Sequence, residues 1–136
     1  MRIRYVENKN GKLFSFHRHD FKEDTDDEGN FILIDGGFHY YTRVVGNLKE
    51  STIYDLMPEI REVFIWGQNY DEFNNKLPET IYKPLKDLST PHIAGILRYF
   101  TENLAENKAT ASNQWVAYHL IFIYELENRL KNDWNK

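Results

Sequence analysis

The densest run of metal-binding side chains is Asp24-Thr25-Asp26-Asp27-Glu28-Gly29, continuing to Asp35. Calcium takes about six to eight oxygens, and a glycine allows the sharp turn that wraps them round one ion. Aligned on such a loop, Asp24, Asp26, Glu28 and Asp35 fall at the ligand positions, Gly29 at the turn and Phe31 at the apolar position. Glu28 is longer than the usual ligand at its place, and Asp35 is shorter than the bidentate glutamate expected at the end. Neither flank has helical spacing. A solvated acidic loop between strands is the competing reading.

Histidine offers a second constellation. His17 and His19 are two apart on an expected strand and so share a face, and His39 lies on the neighbouring hairpin. Three imidazoles could ligate a metal; a polar outer face is the alternative. With Asp35, Tyr41 and Arg43, these histidines also define a candidate ligand pocket or enzymatic site where sheet and helices meet. His92 and His119 read as packing or hydrogen-bonding residues.

Other chemistry is missing. The sequence has no Walker loop, no G-x-S-x-G, no H-E-x-x-H and no dinucleotide fingerprint. It has no cysteine, so disulfides, thiolate zinc and cysteine nucleophiles are excluded. The reading is therefore non-enzymatic, with no cofactor. The formal charge is −4, which does not favour nucleic acid. Charge is unevenly placed: residues 1–19 carry five bases and one acid, residues 20–28 six acids and one base. The two stretches can attract each other weakly, or the basic one could meet phosphate.

The elements that must position these residues are legible in part. Of the chain's 136 residues, 41% are apolar and 15% aromatic, enough for one dense core. The expectation is an α+β fold in a single domain, 1–136: a β meander over 1–48 and a mainly helical part over 49–136. Segments 3–6 and 12–16 flank Asn8-Lys9-Asn10-Gly11, a hairpin signal. Segments 31–34 and 38–45 flank Asp35-Gly36-Gly37, a second one. Ser51 or Thr52 caps a short turn, and Pro58 suits a helix's first turn, with Gly67 as its stop. Residues 67–87 form a long connection that is functional or carries its own strands, 81–83 among them. Thr90 caps a helix with Ile93, Ile96, Leu97, Phe100 and Leu104 on one face. Ser112 caps the last helix. Its apolar arc, from Trp115 to Leu130, is wide enough to be covered on more than one side, by sheet and helix or by a second copy of the chain. No apolar run reaches the roughly 20 residues of a membrane span, and the N-terminus does not read as a signal peptide, so a cytoplasmic location is expected.

His19-Asp20-Phe21, Asp35-Gly36-Gly37, Tyr40 or Tyr41, and Arg43 resemble the motifs of a phage protein family of unknown function with a zinc-ribbon-like N-terminal part. The runs Phe64-x-Trp66-Gly67-x-Asn69-Tyr70-Asp71, Leu77-Pro78-x-Thr80 and Leu85-Lys86-Asp87-Leu88-x-Thr90-x-His92-Ile93 are similar to a second stretch common in phage proteins. Trp115, Leu120, Glu125-Leu126 and Arg129 resemble the closing helix. The resemblance implies a phage or prophage setting. It also implies two cysteine knuckles, each ending in glycine. Here Gly11 and Gly29 stand without cysteines. Replacing about 10 kcal/mol of zinc-derived folding energy takes some 400 Å² of apolar burial. The expectation is a metal-free ribbon held by Phe14, Phe16, Phe21, Phe31 and Phe38.

The functional expectation is a binding protein that engages a host protein or defence component. The residues expected to carry binding lie in or beside the long connection: Trp66, Tyr70, Asp71 and Tyr82. Trp66 reads equally as a core anchor. Glu59 and Glu62, and Glu125 and Glu127, read as solvated helix carboxylates.

Overall fold

A computed structural model of the chain describes residues 1–8, 11–17, 20–25, 28–37, 40–71, 73, 75–106 and 113–132. The protein is α+β; the described residues form antiparallel sheets and three α-helices, the last of them in the C-terminal part. Among the described residues no helix is long and apolar enough to cross a membrane. Two compact units form, Met1–Asp55 and Leu56–Lys136.

In the first unit, alternation is confined to the start of β1. On β1 (Arg2–Asn8), Ile3 and Tyr5 are buried while Arg2 is exposed. β1 pairs with β2 (Gly11–Leu13) and with β6 (Leu48–Thr52). The β1–β2 register closes at Asn8 opposite Gly11, so Gly11, at φ +150°, begins a strand instead of filling the centre of an Asn-Gly turn. β4 (Phe31–Gly37) lies between β3 (Phe21–Thr25) and β5 (Tyr40–Val45). Consecutive Ile32, Leu33 and Ile34 on β4 are all buried, which is how a strand covered on both faces reads. The six strands thus make two three-stranded sheets, not one meander, because the chain returns at β6 to pair with its own beginning.

Val6, Ile32 and Ile34 form the shared core of this unit. Gly46 sits against it. A Cβ there would stand 2.8 Å from Val6 Cγ1 and 3.0 Å from Ile32 Cγ2, and its φ is +127°. Tyr5, Phe14 and Phe16 pack in series, Tyr5 tilted against Phe14 at 5.7 Å and Phe14 stacked on Phe16 at 5.4 Å between ring centroids. The expected phenylalanine cluster is therefore smaller than proposed. Phe21 and Phe31 are exposed, because they lie on an edge strand and at a strand start. Phe38 lies outside the described residues.

The helices follow their caps. α1 (Ile53–Val63) begins at the end of the first unit and continues into the second; Thr52 Oγ1 accepts the Asp55 N–H at 3.1 Å at its start. The helix then runs through Pro58, which lies in its interior and not at its start. Gly67 is not its stop. It belongs to β7 (Ile65–Tyr70), which pairs antiparallel with β8 (Lys76–Pro84). The long connection is thus a hairpin, and strand residues 81–83 are part of it. A 3₁₀ turn over Leu85–Asp87 leads to α2 (Thr90–Glu106). Its cap is Ser89, whose Oγ accepts the His92 N–H; Thr90 is already helical. α3 (Asn113–Asn132) packs on α2. Ser112 and the loop 107–111 lie outside the described residues.

An aromatic cluster fills this unit. Trp66 from β7 meets Phe122 at 5.0 Å and Phe100 at 5.9 Å, both edge-on. Phe64 touches Phe122 and Tyr118. Edge-to-face pairs at these spacings add about 0.5–1.5 kcal/mol each beyond their burial.

Candidate functional site

The β7–β8 hairpin has two unlike faces. Trp66 and Gln68 turn inward, Trp66 to the aromatic cluster, while Gly67 opposite Tyr82 and Ile65 opposite Pro84 turn outward. Gly67 lets Tyr82 lie across the backbone: a Cβ at Gly67 would stand 3.1 Å from Tyr82 Cε1. The ring covers the bare glycine with one face and leaves Tyr82 71% exposed. Opposite Asn69, strand β8 bulges, and Thr80 Oγ1 donates to Asn69 Oδ1 at 2.6 Å.

The tip of the hairpin is built by Asp71. Its Oδ1 accepts the N–H groups of Phe73 (2.9 Å) and Asn75 (2.8 Å), and its own N–H donates to the Asn75 carbonyl (2.9 Å). Asn75 Nδ2 donates to Oδ2. Above all the Asn75 amide holds the Asp71 carboxyl below the ordinary aspartate range; the Asn75 side chain and Phe73 amide add to this, against some desolvation. The closed turn presents Phe73, 77% exposed, beside the exposed Tyr70.

Of the four residues expected to bind, Tyr70 and Tyr82 are thus on the surface, Asp71 shapes the tip, and Trp66 is a half-buried anchor of the core. Phe73 was not among them. Its signal was the Asp71-x-Phe73-x-Asn75 spacing, in which an aspartate accepts from amides two and four residues on.

The acidic run is arranged differently from a calcium loop. Asp24 is on β3 opposite Ile32, and Asp35 is on β4 opposite Phe21. Three register steps, an odd number, separate them, so their side chains leave opposite faces of the strand pair instead of converging on one ion. Asp24 Oδ1 instead accepts the Thr25 N–H at 2.8 Å. Glu28 lies beyond β3, and Asp26 lies outside the described residues. Among the described residues no three His, Asp or Glu side chains gather to hold a metal ion.

In the candidate pocket, Asp35 is in register with Arg43, and Gly36 with Tyr41, across a bulge. His17 closes a turn instead. Its N–H donates to Asp20 Oδ2 and its carbonyl accepts the Asp20 N–H. The Asp20 carbonyl accepts the Gly36 N–H, and the buried Ser15 hydroxyl donates to the Gly36 carbonyl. The motifs His19-Asp20-Phe21 and Asp35-Gly36-Gly37 therefore meet through their backbones. His19 and His39 lie outside the described residues.

Glu125 is not a solvated carboxylate. It is fully buried and accepts from two guanidinium groups. Arg61 Nε and Nη2 reach its two oxygens at 2.9 and 3.0 Å, and Arg129 Nε reaches Oε2 at 2.7 Å. Arg129 also donates to Thr90 Oγ1 and to the Leu85 carbonyl, both at 3.1 Å. One buried triad thus ties α1, α3, the 3₁₀ turn and the start of α2. Glu62, by contrast, pairs at the surface with Lys86 at 2.6 Å. That hydrogen bond lowers the Glu62 pKa and raises that of Lys86.

No family model matches the chain, and neither a curated protein nor a solved structure matches it.

Proposed function

We propose that the chain is a non-enzymatic binding protein that grips a host protein or defence component through the β7–β8 hairpin. The phage or prophage setting is part of this proposal and rests on the motif resemblance. One observation carries the reading: Tyr70, Phe73 and Tyr82 stand exposed on one hairpin whose tip is fixed by Asp71 and whose base is anchored by Trp66. Large aromatic side chains held rigidly in water supply contact area at little entropic cost on binding. Aromatics dominate the hot spots of protein interfaces, where each contributes about 2 kcal/mol or more.

The test is capture from a bacterial lysate by the immobilised chain, beside a Tyr70→Ser, Phe73→Ser, Tyr82→Ser variant with unchanged circular dichroism. The wild type retains a discrete protein, and the variant loses it by at least about 30-fold in affinity. Nothing retained by the wild type, or equal retention by the variant, refutes the proposal.

A further inference from the structure

Strand β3 closes its sheet on one side and pairs only with β4. All five of its residues, Phe21 to Thr25, are exposed. Hydrogen-bonded pairs alternate along an antiparallel ladder. The Asp20 carbonyl accepts the Gly36 N–H, one register step before Phe21 opposite Asp35. Lys22 and Asp24 therefore turn their peptide groups toward β4, and Phe21, Glu23 and Thr25 turn theirs outward. Asp24 Oδ1 covers the outward Thr25 N–H. Among the described residues, no backbone hydrogen bond from outside the ladder reaches the N–H and C=O groups of Phe21 and Glu23. A row of open peptide groups at a sheet edge is a template for one further strand. The side chains on this edge are charged as well. Glu23 shares a face with the exposed Phe21, and Lys22 and Asp24 share the other. Among the described residues neither Lys22 nor Glu23 has an ion-pair partner.

We infer that β3 takes up an extended basic segment of another protein, which pairs along its open edge as an added strand. The main-chain groups of Phe21 and Glu23 supply the pairing, and the side chains select the segment. Antiparallel addition is the more stable per residue. It sets one incoming residue opposite each residue of β3, where opposite charges attract. The residues that meet Asp24 and Glu23 are neighbours in the incoming chain, so two consecutive basic residues flank the edge on both faces. Two positions beyond, an apolar residue packs beside Phe21. The pattern recognised is basic-basic-x-apolar. A second copy of β3 does not fit. Residues 20–28 hold six acids and one base, and that excess repels an identical strand.

The probe is a blocked, dye-labelled peptide, threonine-lysine-arginine-threonine-valine-threonine, titrated with the full chain and read by fluorescence anisotropy. It binds saturably, and amide exchange of Phe21 and Glu23 slows in the complex. Exchanging its lysine and arginine for glutamates weakens binding at least about tenfold. N-methylation of the arginine, whose N–H meets the Glu23 carbonyl, weakens it about fivefold. N-methylation of the lysine, whose N–H turns away from β3, changes it less than about twofold. The double variant Glu23→Lys, Asp24→Lys reverses the preference and binds the glutamate peptide better. The peptide series leaves the chain unaltered, so it decides even where the double variant does not fold. No binding to the wild type, or no loss on charge reversal of the peptide, overturns the inference. So does equal binding of the two N-methylated peptides, which is the mark of charge attraction without strand pairing.

Discussion

Replacing Glu125 by alanine removes the one acceptor shared by two arginines in the second unit. Taking one partner from a buried ion pair costs about 3–5 kcal/mol, because the remaining charge is left without compensation. Two features place the expected loss near the lower end, about 3 kcal/mol. Arg61 is 12% exposed and can turn part of its charge to water, and Arg129 keeps Thr90 Oγ1 and the Leu85 carbonyl. Glu125→Gln preserves the shape but puts an amide N–H where an arginine donates, losing one or two charged hydrogen bonds at about 1.5–3 kcal/mol each. The assay is urea unfolding followed by fluorescence, since Trp66 and Trp115 both lie in the aromatic cluster of this unit. In heat the same 3 kcal/mol lowers Tm by about 12–24 °C for a domain of this size. The combined Arg61→Met, Glu125→Leu, Arg129→Met variant recovers most of the loss, because replacing a whole buried triad by apolar groups is often neutral or better. A shift below about 1 kcal/mol for Glu125→Ala, or a triple variant worse than the single one, would refute the reasoning.

Three further outcomes are expected. Gly46→Ala destabilises the first unit by about 1–3 kcal/mol in chemical denaturation, since the new methyl overlaps Val6 and Ile32 and the backbone is left-handed. Gly67→Ala displaces the Tyr82 ring by a few tenths of an ångström, so it changes stability little but weakens capture in the hairpin assay. Asp71 titrates lower in the folded chain than in the unfolded one, so its contribution is fully present above the unfolded pKa and fades as pH falls through the folded one. Amide exchange of Phe73 and Asn75 should therefore accelerate over that acidic interval, relative to core amides, and Asp71→Ala should show the acceleration at neutral pH.

The surface of the hairpin was partly visible in advance. Tyr70, Asp71 and Tyr82 stood in a connection too long to be idle, and Asp71 is the kind of residue that closes turns. Phe73 was overlooked because an isolated aromatic has no periodicity. β3 was read as loop because its residues are polar on both faces, as an edge strand can afford to be. Thr52 is legible as a cap, whereas the cap at Ser89 is missed by one residue and Pro58, expected in a first turn, lies inside α1, since a cap is decided by which hydroxyl meets an open amide.

The α+β class, the two N-terminal strand hairpins and the two C-terminal helices were determined by local pattern, because period acts over neighbouring residues, although Asp35-Gly36-Gly37, expected as a turn, lies within β4. Pairing over distance was not. Only the fold returned β6 to β1 and set Gly46 against Val6 and Ile32. Only the fold enclosed Glu125 between arginines 64 residues before it and four after it. A carboxylate on a helix looks alike in sequence whether it meets water or a guanidinium. What distinguishes the two is the packing of other elements around it, and that is a property of the tertiary structure.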